Sequence, residues 1–189
     1  MQEFANSPSL RNGIFDLLSS VELATDVNVK LLDYTIQLFK DNGLFSDYYG
    51  YHNIDHELEV TYVTLLSGTH SLKDGFITLD DLNYLYVSAL LHDFDPDKAI
   101  DKPHEKNVIN FILKDKTIQK LLAEANLDPN LICALISRTI YPWRGDIITT
   151  TDKLIQSYLS KSKIKKDKKQ QEHFRELGHF LSVSDRIGG

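Results

Sequence analysis

Residues 78–93 read Thr-Leu-Asp-Asp-Leu-Asn-Tyr-Leu-Tyr-Val-Ser-Ala-Leu-Leu-His-Asp. Thr78 with Asp81 three residues later forms a capping box, which marks a helix start. Leu82, Leu85, Tyr86, Ala89 and Leu90 then recur at helical spacing, so the stretch predicts a helix to His92 that Pro96 closes. Asp93 falls four residues after Ala89 and eight after Leu85, so a carboxylate continues the apolar stripe. A charge on a buried face is strongly unfavourable unless it is paired or holds a cation.

The same helical period extends in both directions. Val29 to Lys40 carries a broad stripe of Leu31, Leu32, Tyr34, Ile36, Leu38 and Phe39, ended by Asn42-Gly43. Ser46-Asp47 and the aromatic run at 48–51 read as a loop, and a helix follows from Asn53 or Asp55 to Leu66, stopping at Ser67-Gly68. Asp101 and Pro103 start a helix with Val108, Ile109 and Ile112 inside; Asp128-Pro129 repeats the signal for a helix from Leu131 to Ile140. Asp152 to Leu159 and Gln171 to Val183 complete the pattern. Residues 75–78 and 147–151 are short β-branched stretches without a hairpin partner. The expectation is an all-α chain of six to nine helices, a single domain over residues 1–189 with its core at about 29–185. Residues 161–169, with six lysines, read as a solvated, mobile connection between two helices.

Composition narrows the function classes. At 189 residues and 42% hydrophobic, the chain has enough material for one full core. The lone Cys133 excludes an internal disulfide framework and a cysteine zinc site. No apolar run approaches the roughly 18 residues a membrane helix needs, and the first residues carry no secretory pattern. A net charge of −6 argues against nucleic acid as the main partner. These features predict a soluble, cytoplasmic globular domain.

Two further segments place ionisable groups toward an interior. Tyr51-His52-Asn53-Ile54-Asp55-His56 sets two imidazoles four residues apart, on one face of a helix. In the last helix Phe174, Leu177 and Leu181 form the apolar stripe, and Asp185 is its next position. Two imidazoles and two carboxylates from three helices are jointly satisfied by a divalent ion. Mixed nitrogen and oxygen ligands suit Mn, Fe, Co, Ni or Zn.

A histidine, a His-Asp pair at a helix end and a late aspartate on an all-α background resemble the HD-domain superfamily of metal-dependent phosphohydrolases. The segment at 51–56 is closer to class I cyclic nucleotide phosphodiesterases and some microbial relatives. The resemblance runs from about residue 30 to the end. It implies His56, His92, Asp93 and Asp185 as metal ligands and His52 as proton donor to the leaving oxygen. Asp55 or Glu59 is then a candidate to keep His52 protonated. The implied reaction is hydrolysis of a phosphate ester, expected to be a nucleotide, by metal-activated water, with Asp93 catalytic and a second ion only if Asp93 bridges two.

The chain departs from the phosphodiesterases after His-Asp, where Phe94-Asp95-Pro96 follows directly. His104-Glu105 is similar to a pair in a microbial branch, which implies that Glu105 holds the attacking water or the substrate. Residues 131–139 resemble a stretch of the same branch, with Arg138 suited to a bidentate grip on phosphate. Asn53 joins Arg138 as a substrate-binding candidate, and Trp143 and Arg144 are candidates to stack on a base. Two alternatives remain open: an HD fold that binds a nucleotide or partner without turnover, and a di-iron oxygenase, which needs two further histidines from among His104, His173 and His179. Homo-oligomerisation is compatible with either. Asp185 lies four residues from the end of the chain, so it is clamped by metal or belongs to a domain cut from a longer protein.

Overall fold

The computed structural model describes residues 7–44, 52–97 and 103–187. Nine helices occur among them: α1 Ser7–Ser20, α2 Asp26–Asp41, α3 Ile54–Lys73, α4 Leu79–Leu91, α5 Glu105–Lys114, α6 Lys116–Glu124, α7 Pro129–Ser137, α8 Asp146–Leu159 and α9 Lys168–Ile187. The described residues contain no strand, so the chain is all-α, as its periodicity predicts. None of the described helices is long and apolar enough to cross a membrane. The loop expected at 46–51 and the start signal at Asp101 lie outside the described residues.

Helix α4 is the axis of the molecule. The capping box forms, with Thr78 Oγ1 accepting from Asp81 N and the Asp81 carboxylate accepting from Thr78 N. Every residue from Tyr84 to Leu91 is buried, so α4 is apolar on all sides rather than amphipathic. It packs against α2, α3, α7 and α9, and α3 in turn packs against α1 and α9. Its tyrosines bury their rings and keep their hydroxyls bonded. Tyr86 donates to Asn28 O, and Tyr84 accepts from Asp128 N.

Several expected boundaries move. Helix α3 runs through Ser67-Gly68 to Lys73 because Gly68 is not a cap. A Cβ there would stand 2.4 Å from Leu82 Cδ1, so the glycine lets α3 and α4 approach. Gly75, at φ +76°, follows the C-cap Asp74. The β-branched stretch at 147–151 is helical, since Thr151, Ile155 and Leu159 reach the core at steps of four. Helix α7 stops at Ser137, three residues before the expected Ile140.

Two helices carried no clear sequence signal, α1 and α6. Asp115 separates α5 from α6 by serving both: its N–H donates to Phe111 O, and its Oδ1 accepts from Ile118 N. The connection at 161–169 is pinned rather than loose. Ser162 is buried and donates to Leu159 O, Lys163 N donates to Asp128 Oδ2 at 2.6 Å, and Gln171 Nε2 donates to Ile164 O and Lys165 O.

Candidate metal centre

Three helix ends meet in one place. Asn53 caps α3, its Oδ1 accepting from Asp55 N at 2.8 Å and His56 N at 3.2 Å. That cap fixes the first turn, which buries His56 and Glu57. His92 is the C-cap of α4 and Asp93 the residue after it. Asp185 sits in the last turn of α9, which packs on both α3 and α4.

Asp93 Oδ2 lies 2.6 Å from His52 Nδ1, 3.6 Å from His56 Nε2 and 3.7 Å from His92 Nε2. Asp185 Oδ1 lies 3.5 Å from His56 Nε2 and 3.4 Å from His92 Nε2. Except for the His52 bond these separations are long for hydrogen bonds. His92 Nε2 is buried and makes no hydrogen bond. Nitrogen and oxygen donors about 2.1 Å from a tetrahedral ion stand roughly 3.4 Å apart, which matches the two histidine–Asp185 spacings. The donor set therefore fits a divalent ion in chemistry and in spread.

The tautomer of His92 follows from its other side. Nδ1 is 2.8 Å from Ala89 O, and a carbonyl can only accept, so Nδ1 carries a proton, and whenever the ring is neutral Nε2 holds the lone pair. Three groupings of donors have ligand atoms within 4.8 Å of one another: His52-His56-Asp93, His56-His92-Asp185 and Glu57-His92-Asp93. The protonated Nδ1 makes the Glu57 side of His92 a place for a proton.

Charge is concentrated here. Burial disfavours the imidazolium of His56, yet the nearby carboxylates of Asp185 and Asp93 outweigh it and raise its pKa to about 9. His92 is likewise raised well above its ordinary value, as Glu57, Asp93 and Asp185 outweigh burial. Burial works against ionised Asp185, but His56 and His92 lower it to about 2. Asp93 is held far below the usual carboxylate range, since His92, His52 and His56 outweigh burial. Burial pushes Glu57 up, opposed by His92. Imidazole and carboxylate thus hold one another in charged forms.

A cavity of about 200 Å³ opens onto Asp93 and Asp185, walled by His52, Pro103, Glu105, Thr139 and Tyr141. The structure thus brings His52, His56, His92, Asp93, Asp185 and Glu105 to one site. Asn53 is not among the residues lining this cavity; its carbonyl oxygen is used in the α3 cap. Arg138 is not there either. Its guanidinium stacks 3.6 Å over Trp143, approaches His179 Nδ1 and Ser182 Oγ, and faces a separate cavity of about 460 Å³. Trp143 packs on the core beneath it, and Arg144 is exposed. His104 caps α5, His173 pairs with Asp81 and His179 meets Arg138, so none of the three joins the donor groupings.

Two residues were missed at the sequence level. Asp95, fully buried, accepts from Asp97 N, His104 N and Asn107 Nδ2, and so ties the chain before Pro96 to the start of α5, where Glu105 sits. An aspartate two residues before an Asx-turn donor was its available signal. Glu57, also fully buried, stands on the stripe Ile54, Thr61, Thr64 and Gly68, so the argument applied to Asp93 and Asp185 also singles it out. Among the carboxylates, Asp93 is in contact with His52.

Comparisons with family models, with curated proteins and with solved structures return no match to this chain. Fold and site together define an all-α protein with a candidate His/Asp metal centre.

Proposed function

We propose that this chain is a metal-dependent phosphohydrolase of the HD type, acting on a phosphate ester of nucleotide class. The observation that carries the reading is the meeting of His56 Nε2, His92 Nε2, Asp93 Oδ2 and Asp185 Oδ1 from three helix ends at one cavity. These four groups would hold a divalent transition ion. When bound, it supplies a lowered water pKa and a polarised phosphoryl oxygen.

The remaining work falls to this chain's side chains. His52 stands in the cavity wall, and its Nδ1 contact with Asp93 fixes the ring. Its role is to hand a proton from Nε2 to the leaving oxygen, for which an imidazole suits neutral pH. Glu105 orients the attacking water or a substrate hydroxyl from the wall. Pro103 and Tyr141 complete the wall beside Glu105. The placement of His104, His173 and His179 away from the cluster favours hydrolysis over a di-iron oxygenase.

The test is metal analysis of the purified protein, then a phosphate-release screen after chelation. Mn, Co, Ni and Zn are offered with nucleoside monophosphates, cyclic nucleotides and simple phosphate esters. The expected result is metal-restored release that His92→Ala or Asp93→Ala abolishes together with bound metal. A folded wild-type protein that takes up none of the four ions overturns the reading.

A further inference from the structure

We infer that Glu57 is a positioning residue that sets His92 and Asp93 for metal capture. The inference rests on the metal-centre reading above. The Glu57 carboxylate is fully buried, with Oε2 3.3 Å from His92 Nδ1 and Oε1 3.4 Å from Asp93 N. One side chain on α3 therefore touches both members of the His-Asp pair that ends α4. Burial of a carboxylate is unfavourable unless it is paired, so its presence on a buried helix face needs a reason.

Hydrogen-bonding capacity supplies that reason. The proton on His92 Nδ1 is required by Ala89 O, and Asp93 N is a backbone donor. Oε1 of Glu57 accepts from Asp93 N, while Oε2 stands 3.3 Å from His92 Nδ1 without completing a hydrogen bond. A carboxylate oxygen beside Nδ1 favours the proton there, and so the lone pair of the neutral ring at Nε2, the atom that faces Asp93 and Asp185. Its contact with Asp93 N fixes the backbone just past the helix end. Carboxylates that hold a ligating histidine from behind commonly change metal affinity by 10–100-fold when removed.

Glutamine offers one acceptor where glutamate offers two, and its amide group turns a donor toward a donor. Leucine offers neither, but removes the buried charge. The experiment measures Co(II) affinity by chelator competition, the visible spectrum of the Co(II) protein, and the thermal midpoint of the metal-free protein. Wild type is compared with Glu57→Gln and Glu57→Leu. In both variants Co(II) affinity is expected to fall about 10–100-fold, with a shifted spectrum. The metal-free midpoint of Glu57→Leu is expected to hold or rise, because replacing a buried charge by an apolar group is often neutral or stabilising.

A merely structural Glu57 gives the opposite pair of results: a lowered metal-free midpoint and unchanged Co(II) affinity and spectrum in the folded variants. That outcome overturns the inference. Failure of the underlying reading is distinct, since the wild-type protein itself then binds no Co(II). Should Glu57→Leu fail to fold, Glu57→Gln alone decides, by whether its affinity and spectrum match wild type.

Discussion

Removing the Asp95 carboxylate tests how the cavity wall is held. Its Oδ1 accepts from Asp97 N at 2.9 Å; its Oδ2 accepts from His104 N at 2.9 Å and Asn107 Nδ2 at 3.2 Å. Hydrogen bonds to a charged acceptor contribute about 1.5–3 kcal/mol each, so a simple sum overstates the loss. Asp97 and His104 are exposed, and their N–H groups reach water once the carboxylate is gone, while Asn107 is half-buried. Loss of a buried charge also returns some desolvation energy. For Asp95→Ala the balance is about 3 kcal/mol of stability, or a fall of roughly 6–12 °C in Tm for a chain of this size. Asp95→Asn keeps one acceptor and falls between. Urea unfolding followed by circular dichroism gives the free energy, and metal titration and steady-state kinetics give the site. Glu105 and Pro103 lose their anchor, so KM is expected to rise, while the proposed ligands His56, His92 and Asp185 stand on α3, α4 and α9 and Asp93 keeps its contact with His52, so metal affinity is expected to hold. A stability change under 1 kcal/mol, or loss of metal along with the loop, refutes this account of Asp95.

Other substitutions and conditions separate the remaining roles. His52→Ala is expected to retain bound metal and lose turnover by 10²–10⁴-fold, the range for a general acid; metal loss in that variant would reverse the assignment of His52. Gly68→Ala sets a methyl 2.4 Å from the Cδ1 of fully buried Leu82 and is expected to destabilise by about 1–3 kcal/mol. An unchanged Tm would mean that Leu82 turns aside without cost. In the metal-free protein His56 is protonated up to about pH 9, so its pairing with Asp185 and Asp93 contributes stability below the ordinary histidine range that is lost as pH rises through 9. The same proton competes with a metal ion, so metal affinity is expected to climb between pH 7 and 9 with proton release, read by titration calorimetry in two buffers. An affinity flat across that range argues that His56 does not ligate.

The legible part of this molecule is the part in which a local rule and the global fold agree. The Thr78-Asp81 box, the apolar run to Leu91 and the placement of Asp93 beyond it need only the helical period to be read; the first two recur in α4, and Asp93 lies just past its C-cap. Asp185 was reachable in the same way, from Phe174, Leu177 and Leu181, all buried. What stayed hidden depends on partners distant in sequence. Gly68 reads as a stop until Leu82 is known to lie against it, 14 positions on. Arg138 reads as a free cation until Trp143, Ser182 and His179 are seen to occupy its guanidinium. The lysine-rich connection reads as loose because its anchors, Asp128 and Gln171, lie outside it. Glu57 differs from these, because its position on the Ile54–Gly68 stripe is plain in the sequence. Its neighbour His56 is the more conspicuous residue type, yet burial, which sequence spacing already implies for Glu57, is the stronger physical signal. A charge on a buried stripe must be matched by something, and at this site three carboxylates and three imidazoles match one another in groupings whose ligand atoms lie close enough together that they could hold a metal ion.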